Sequence, residues 1–141
     1  MTLNEFIDNH LQQPISENVV NGALERINSE MWRDVAPIYP QPNPVLYVQG
    51  WTIDMVHGSV SENVFVALQH ENGTIYATKA ERYERPDLVQ HFGNELYRMA
   101  GLRSYALVNE IPHGVYTMFI VQEIDGVYYY YQADKQIQIW P

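Results

Sequence analysis

From Val45 onward, apolar residues come in short runs, mostly at every second position, and Gly, Pro, Asn or Asp interrupts each run. Val64, Val66 and Leu68 fall on one side of a strand, with Phe65, Ala67 and Gln69 on the other. Ile75, Ala77 and Lys79 repeat that period. Val45–Met55 is apolar on both faces, as expected of a strand in the middle of a sheet. Further strands are predicted at Leu102–Glu110, Val115–Ile124, Val127–Gln132 and Lys135–Trp140, with a turn at Pro112–Gly114. Arg85–Gly93 breaks the pattern. Pro86 suits a first helical position, Asp87 the positive end of a helix and Gly93 its stop, which predicts a short helix around residues 86–92.

Two dipeptides set the register. Asn72-Gly73 and Asp125-Gly126 each lie between strand-like runs. A two-residue type I′ loop needs positive φ at both central residues, which these pairs supply at low cost. With Asp125-Gly126 as the loop, Ile124 faces Val127, Gln122 faces Tyr129 and Ile120 faces Tyr131. These residues, with Met118 and Tyr116, form the more apolar face and are expected in the core. The other face carries Thr117, Phe119, Val121 and Glu123 opposite Tyr128 and Tyr130. It presents Phe119, Tyr128 and Tyr130 to solvent or to a covering segment. The fold class that follows is all-β: an antiparallel β-sandwich of about seven to nine strands with one short helix.

The N-terminal region follows other patterns. Residues 1–17 read as an extension and 18–141 as the sandwich domain. Leu3, Phe6, Ile7 and Leu11 have helical spacing that ends before Pro14. Val19–Asn28 is ambiguous. Val20, Leu24 and Ile27 fit a helix, the choice pattern alone slightly favours, while Gly22 and the paired valines also fit a kinked strand. Pro37, Pro40, Pro42 and Pro44 demand an extended loop.

Composition narrows the function. The 141 residues suit one domain, and 46% apolar content is enough for a core without staples. With no cysteine, disulfides, thiolate nucleophiles and Cys-ligated zinc are excluded. A net charge of −9 repels a phosphate backbone and anionic lipid, so no nucleic acid is expected as a partner. No apolar run approaches the roughly 20 residues of a membrane span, so no membrane insertion is expected. Met1–Leu11 carries Glu5 and Asp8 and lacks a basic start, unlike a signal peptide. A cytoplasmic location is expected if the chain is whole, and an extracytoplasmic one if it is a domain of a larger parent protein. No feature fixes an oligomeric state.

Chemical motifs are sparse. His10, His57, His70, His91 and His113 have no metal-binding spacing, and no calcium loop occurs. Gly58-Ser59-Val60-Ser61 lacks the nucleophile elbow, and no phosphate-cradling loop is present. No catalytic residue, metal or cofactor is therefore predicted. Asn72-Gly73-Thr74 matches a glycosylation acceptor, but the turn accounts for all three residues. Gly50-Trp51 has two readings: a sugar-stacking tryptophan, or packing between two sheets, which is preferred; Gly50 would let a neighbour come close. Arg85 could hold a ligand through its guanidinium fork or pair with a local carboxylate at a helix start. Trp32 and Trp140 could lid the core or form a contact surface. Phe119, Tyr128 and Tyr130 are the preferred binding shelf, and cover by the N-terminal segment is the alternative.

Several stretches line up in order: Asn21–Asn28, Val48-Gln49-Gly50-Trp51-Thr52-Ile53-Asp54, Arg85-Pro86-Asp87-Leu88 with Phe92-Gly93-Asn94, Ala100-Gly101-Leu102, and Ile111–Tyr116. Over residues 18–140 they resemble noncatalytic β-sandwich modules attached to bacterial membrane glycosyltransferases and other cell-envelope glycan proteins. The resemblance implies an immunoglobulin-like or jelly-roll sandwich, extracytoplasmic and near a glycan, and it makes Gly22–Asn28 the first strand, which displaces the helix there. The chain departs from the pattern in having Leu88 where valine is usual and in lacking a membrane part. The resulting expectation is a noncatalytic, glycan-associated module that binds or positions cell-envelope polysaccharide, or supports a glycosyltransferase. Phe119, Tyr128, Tyr130, Trp51 and Arg85 are its candidate ligand-binding residues, with Gln122, Gln132, Gln136 and Gln138 as hydrogen-bonding neighbours. The alternative is a protein-interaction or assembly domain.

Overall fold

The computed structural model describes residues 20–40, 42 and 44–141, and among these described residues ten strands and one α-helix form from these patterns. The helix expected at Leu3–Leu11, and any cover it provides, lies outside the described residues. Strand β1 is Val20–Ile27, β2 Glu30–Met31, β3 Val35–Ile38, β4 Val45–Asp54, β5 Val64–His70, β6 Ile75–Lys79 and β7 Glu81–Tyr83. Helix α1 (Pro86–Phe92) follows, then β8 (Gly101–Leu107), β9 (Gly114–Ile124) and β10 (Val127–Ile139). Sheet I has the order β2-β1-β4-β8-β7 and sheet II the order β3-β10-β9-β5-β6. Every pairing between these strands is antiparallel except that of β3 with β10.

The sheets meet through their inner faces. Leu24, Leu46, Val48 and Leu102 of sheet I pack with Val66, Leu68, Tyr116, Met118, Ile120 and Ile137 of sheet II. Removing such side chains from water contributes roughly 1.5–3 kcal/mol each. The Tyr116 hydroxyl donates to Pro112 O across the arch into β9, a corner bond typical of Greek-key sandwiches. Burial pushes that phenol up to about 12.

The second turn has the expected geometry. Asp125 and Gly126 have φ of 53° and 78°, and Ile124 pairs with Val127, Gln122 with Tyr129 and Ile120 with Tyr131. The first turn differs. Gly73 has φ of 95°, but Asn72 does not enter the positive region. Gly73 N donates to His70 O at 2.8 Å and His70 N to Thr74 O at 2.7 Å, so the loop has three residues, 71–73. Asn72 spends its side chain on Thr74 N, which favours a turn of ordinary hand followed by a left-handed glycine.

Residues 20–27 form a strand, not a helix. Val20, Gly22 and Leu24 point inward at the two-residue period, and a bulge between Leu24 and Arg26 returns Ile27 to the interior. That bulge created the helix-like spacing of Leu24 and Ile27. Gly50 admits the β1 backbone, as anticipated: a Cβ there would collide with Ala23 O. Two other elements depart from expectation. The segment around Pro37 is an edge strand rather than a loop, where a missing N–H is tolerated. The two predicted strands at the C-terminus are one strand, β10, with an irregularity between Gln132 and Gln136.

Candidate ligand-binding face

Strand alternation sends Ala23 and Glu25 of β1 and Tyr47, Gln49 and Trp51 of β4 to the outside of sheet I. Across β8 and β7 they continue as Arg103, Tyr105 and Tyr83. Tyr47 and Tyr105 are directly paired across strands, and their rings stack 4.5 Å apart with planes 12° from parallel. Burial, and then the hydrogen bond with Tyr105, raises the Tyr47 phenol above its usual range. The Arg103 guanidinium lies 6.0 Å from the Tyr83 ring centre and pairs with Glu81 at 3.3 Å. Gly101 gives Tyr83 its place: a Cβ at Gly101 would meet the ring at 2.8 Å.

A cleft of about 520 Å³ borders this face, with Glu25, Gln49, Tyr83, Arg85 and Lys135 among its lining residues. Arg85 sits at the start of α1 and donates to Glu25 at 2.6 Å and to Asp87 at 2.9 Å. Its bond with Asp87 is the main reason its pKa lies above the ordinary value, and the same bond holds the Asp87 carboxyl low. The local-carboxylate reading of Arg85 is therefore realised, and the pair also ties α1 to β1.

Trp51 is on this face too, not between the sheets. It packs at one end against Phe92 of α1, ring centres 5.7 Å apart, beside Ile53, Leu88 and Tyr97. Its position follows from register: Trp51 pairs with Ala23 and Gly101, both outward, whereas Gly50 and Thr52 point inward. The indole buried within the main core is Trp32, whose Nε1 donates to Gln136 O at 3.0 Å. Trp140 is partly exposed and stacks on Tyr39.

Phe119, Tyr128 and Tyr130 lie on the outer face of sheet II, remote from Trp51 and Arg85. They pack with Phe65, Ile75 and Ala77 around Ala67 and Val121, and Val121 is only 1% exposed. Phe119 meets Tyr130 edge to face at 5.9 Å. Gln122 is buried and gives its amide to Thr52 Oγ1 at 2.9 Å and Ile53 O at 3.1 Å, so it joins the two sheets instead of facing a ligand. Nearby, Arg82 donates to Ser61 O, Thr52 O and Ala100 O, and burial brings its guanidinium down to about 10. Tyr47, Tyr105, Tyr83 and Arg103 were missed as candidates. Alternation within β4 and β8 was legible, but their cross-strand register depends on a long connection with no turn signature.

No group of three or more His, Asp and Glu placed to hold a metal occurs among the described residues. No described helix is long and apolar enough to cross a membrane. No protein family, curated protein or solved structure matches the chain. What fold and face define is an all-β sandwich with an aromatic and polar outer surface on one sheet.

Proposed function

We propose that this chain is a noncatalytic glycan-binding module and that its ligand, a cell-envelope polysaccharide, lies across the outer face of sheet I. The observation that carries this reading is the row of outward rings, Tyr105 exposed and Tyr47 and Tyr83 half-buried, interleaved with an amide and a guanidinium: Tyr105 and Tyr47, then Arg103 and Gln49, then Tyr83. Aromatic faces carry negative charge density and suit the C–H side of a sugar ring. The neighbouring amide, guanidinium and phenol groups suit hydroxyls, and they sit on strands, which hold their spacing. Trp51 and Arg85 support the end of this face near α1. The Phe119, Tyr128 and Tyr130 shelf is more apolar and serves packing first.

The test is affinity electrophoresis and titration calorimetry against a panel of neutral and anionic envelope polysaccharides. The wild type is expected to bind at least one. A Tyr47→Ala, Tyr105→Ala double variant should lose about tenfold or more in affinity, the equivalent of about 1.4 kcal/mol. Absence of binding to the whole panel, or full affinity in the double variant, overturns the reading.

A further inference from the structure

The chain changes sheets at Ala80. Strand β6 pairs with β5 in sheet II, and immediately after Ala80 β7 pairs with β8 in sheet I, with Ala80 N donating to Val64 O at the crossing. The switch leaves a stretch of β8 without a neighbour. Thr52 N donates to Ala100 O, and Val108 N to Pro44 O, so the even-numbered residues of β8 bond to β4. The odd-numbered ones face the other way. Gly101 and Arg103 meet Tyr83 and Glu81 there. Tyr105 and Leu107 pair in register with Tyr47 and Val45 of β4 on one side and continue the same edge on the other, where no strand lies against them among the described residues.

Beside this open edge, the diverging β6 and β8 enclose a cleft of about 490 Å³, lined by Leu68, Tyr76, Ala77, Thr78, Ala106 and Ile111 among others. Tyr105 and Leu107 form its rim and are 54% and 49% exposed. Glu110 is the one charged side chain among the lining residues.

We propose that this corner receives an extended, basic segment of a partner polypeptide, which adds a strand to β8 in line with β7. An unpaired edge supplies main-chain hydrogen bonds, and an adjoining apolar cleft takes alternate side chains of the added strand. Charge selects the occupant. Glu110 stands at the site and the chain carries −9, so a basic segment is drawn in, whereas a second copy would bring two such charges together. This site shares Tyr105 with the glycan face and differs from it in chemistry: it reads backbone.

The experiment is fluorescence anisotropy with a labelled, end-blocked seven-residue peptide alternating Lys and Val. Two control peptides accompany it, one N-methylated at the valines and one with Glu for Lys. The wild type should bind the basic peptide saturably and neither control. Leu107→Pro removes an outward N–H without touching the β4 ladder and should weaken binding about tenfold. Glu110→Lys should weaken it about threefold. Where Leu107→Pro fails to fold, the N-methylated peptide carries the test alone. The proposal is overturned by no saturable binding up to about 1 mM, or by equal binding of either control. Sedimentation that shows a dimer dissociated by Leu107→Pro would overturn it as well, with a second copy as the occupant.

Discussion

The two outer faces of the sandwich carry similar numbers of aromatic rings but use them in different ways. On sheet II, Phe65, Phe119, Tyr128 and Tyr130 close over Val121 and Ala67, so a second small core sits outside the main one. On sheet I, Tyr47, Tyr105 and Tyr83 stand among Arg103, Gln49 and Glu81, and the pairs between them are stacking and ionic contacts. An aromatic-rich face is therefore no single signal. Rings among aliphatic side chains stabilise the fold through area removed from water, whereas rings among polar groups leave faces and hydrogen-bonding atoms for a ligand.

The sharpest way to break this comparison is a charge at the centre of the sheet II face. Val121→Asp places an unpaired carboxylate where side chains exclude water, and should cost about 3 kcal/mol or more in urea unfolding. Gly101→Ala acts on the other face. Its Cβ would stand 2.6 Å from Tyr83 O and 2.8 Å from the ring, so strand or ring must shift. We expect about 1–3 kcal/mol of destabilisation from that crowding. Polysaccharide affinity should fall with it, because Tyr83 loses its seat. Tyr105→Ala comes last in stability, at under about 1 kcal/mol, since the ring is half exposed and stacks on Tyr47 at the surface. Its effect should appear in binding. If Tyr105→Ala unfolds the chain as readily as Val121→Asp, the distinction between the faces fails.

How much of this was legible follows the reach of each signal. The β9–β10 hairpin was readable in full, because a two-residue loop fixes register and register fixes which side chains point inward. Helix α1 was equally clear, since Pro86, Asp87 and Gly93 act locally. Gly93 takes the left-handed conformation, with φ of 65°. Asn72-Gly73 misled: the same dipeptide serves a three-residue loop when Asn72 turns its side chain to Thr74 N. Trp51 misled for another reason. Whether an outward residue is buried depends on what folds back over it, and here that is α1, a separate element far along the chain. The candidate face is divided among β4, β7 and β8, so no local pattern could assemble it; Trp51 and Arg85 marked only its end.

The smallest expected effect lies where the two sheets share an end. The turn after β4 in sheet I and the hairpin of sheet II are joined there by one imidazole. His57 Nδ1 donates to Asp54 Oδ2 at 2.7 Å, and His57 Nε2 to Asp125 Oδ2 at 3.1 Å. Asp54 is buried and also accepts Val56 N and His57 N through Oδ1, so it cannot turn away. With both ring nitrogens donating, the geometry is that of the protonated ring. The Asp54 hydrogen bond, and then its charge, raise the His57 pKa above its ordinary value, with Asp125 adding to the shift. The sign follows. A cation favoured by the folded state stabilises it fully below the unfolded pKa of about 6.5, and that contribution fades as pH rises through the raised folded value. Melting temperature should therefore be higher near pH 6 than near pH 8, both above the range where carboxylates as a class protonate. His57→Gln should flatten the profile over that interval, leaving polysaccharide affinity unchanged because the clasp is far from Tyr47 and Tyr105 in the register of β4. A profile that keeps its slope in His57→Gln would assign the pH dependence to another group and leave the two sheets held at this end by packing and by the Gln122 hydrogen bonds.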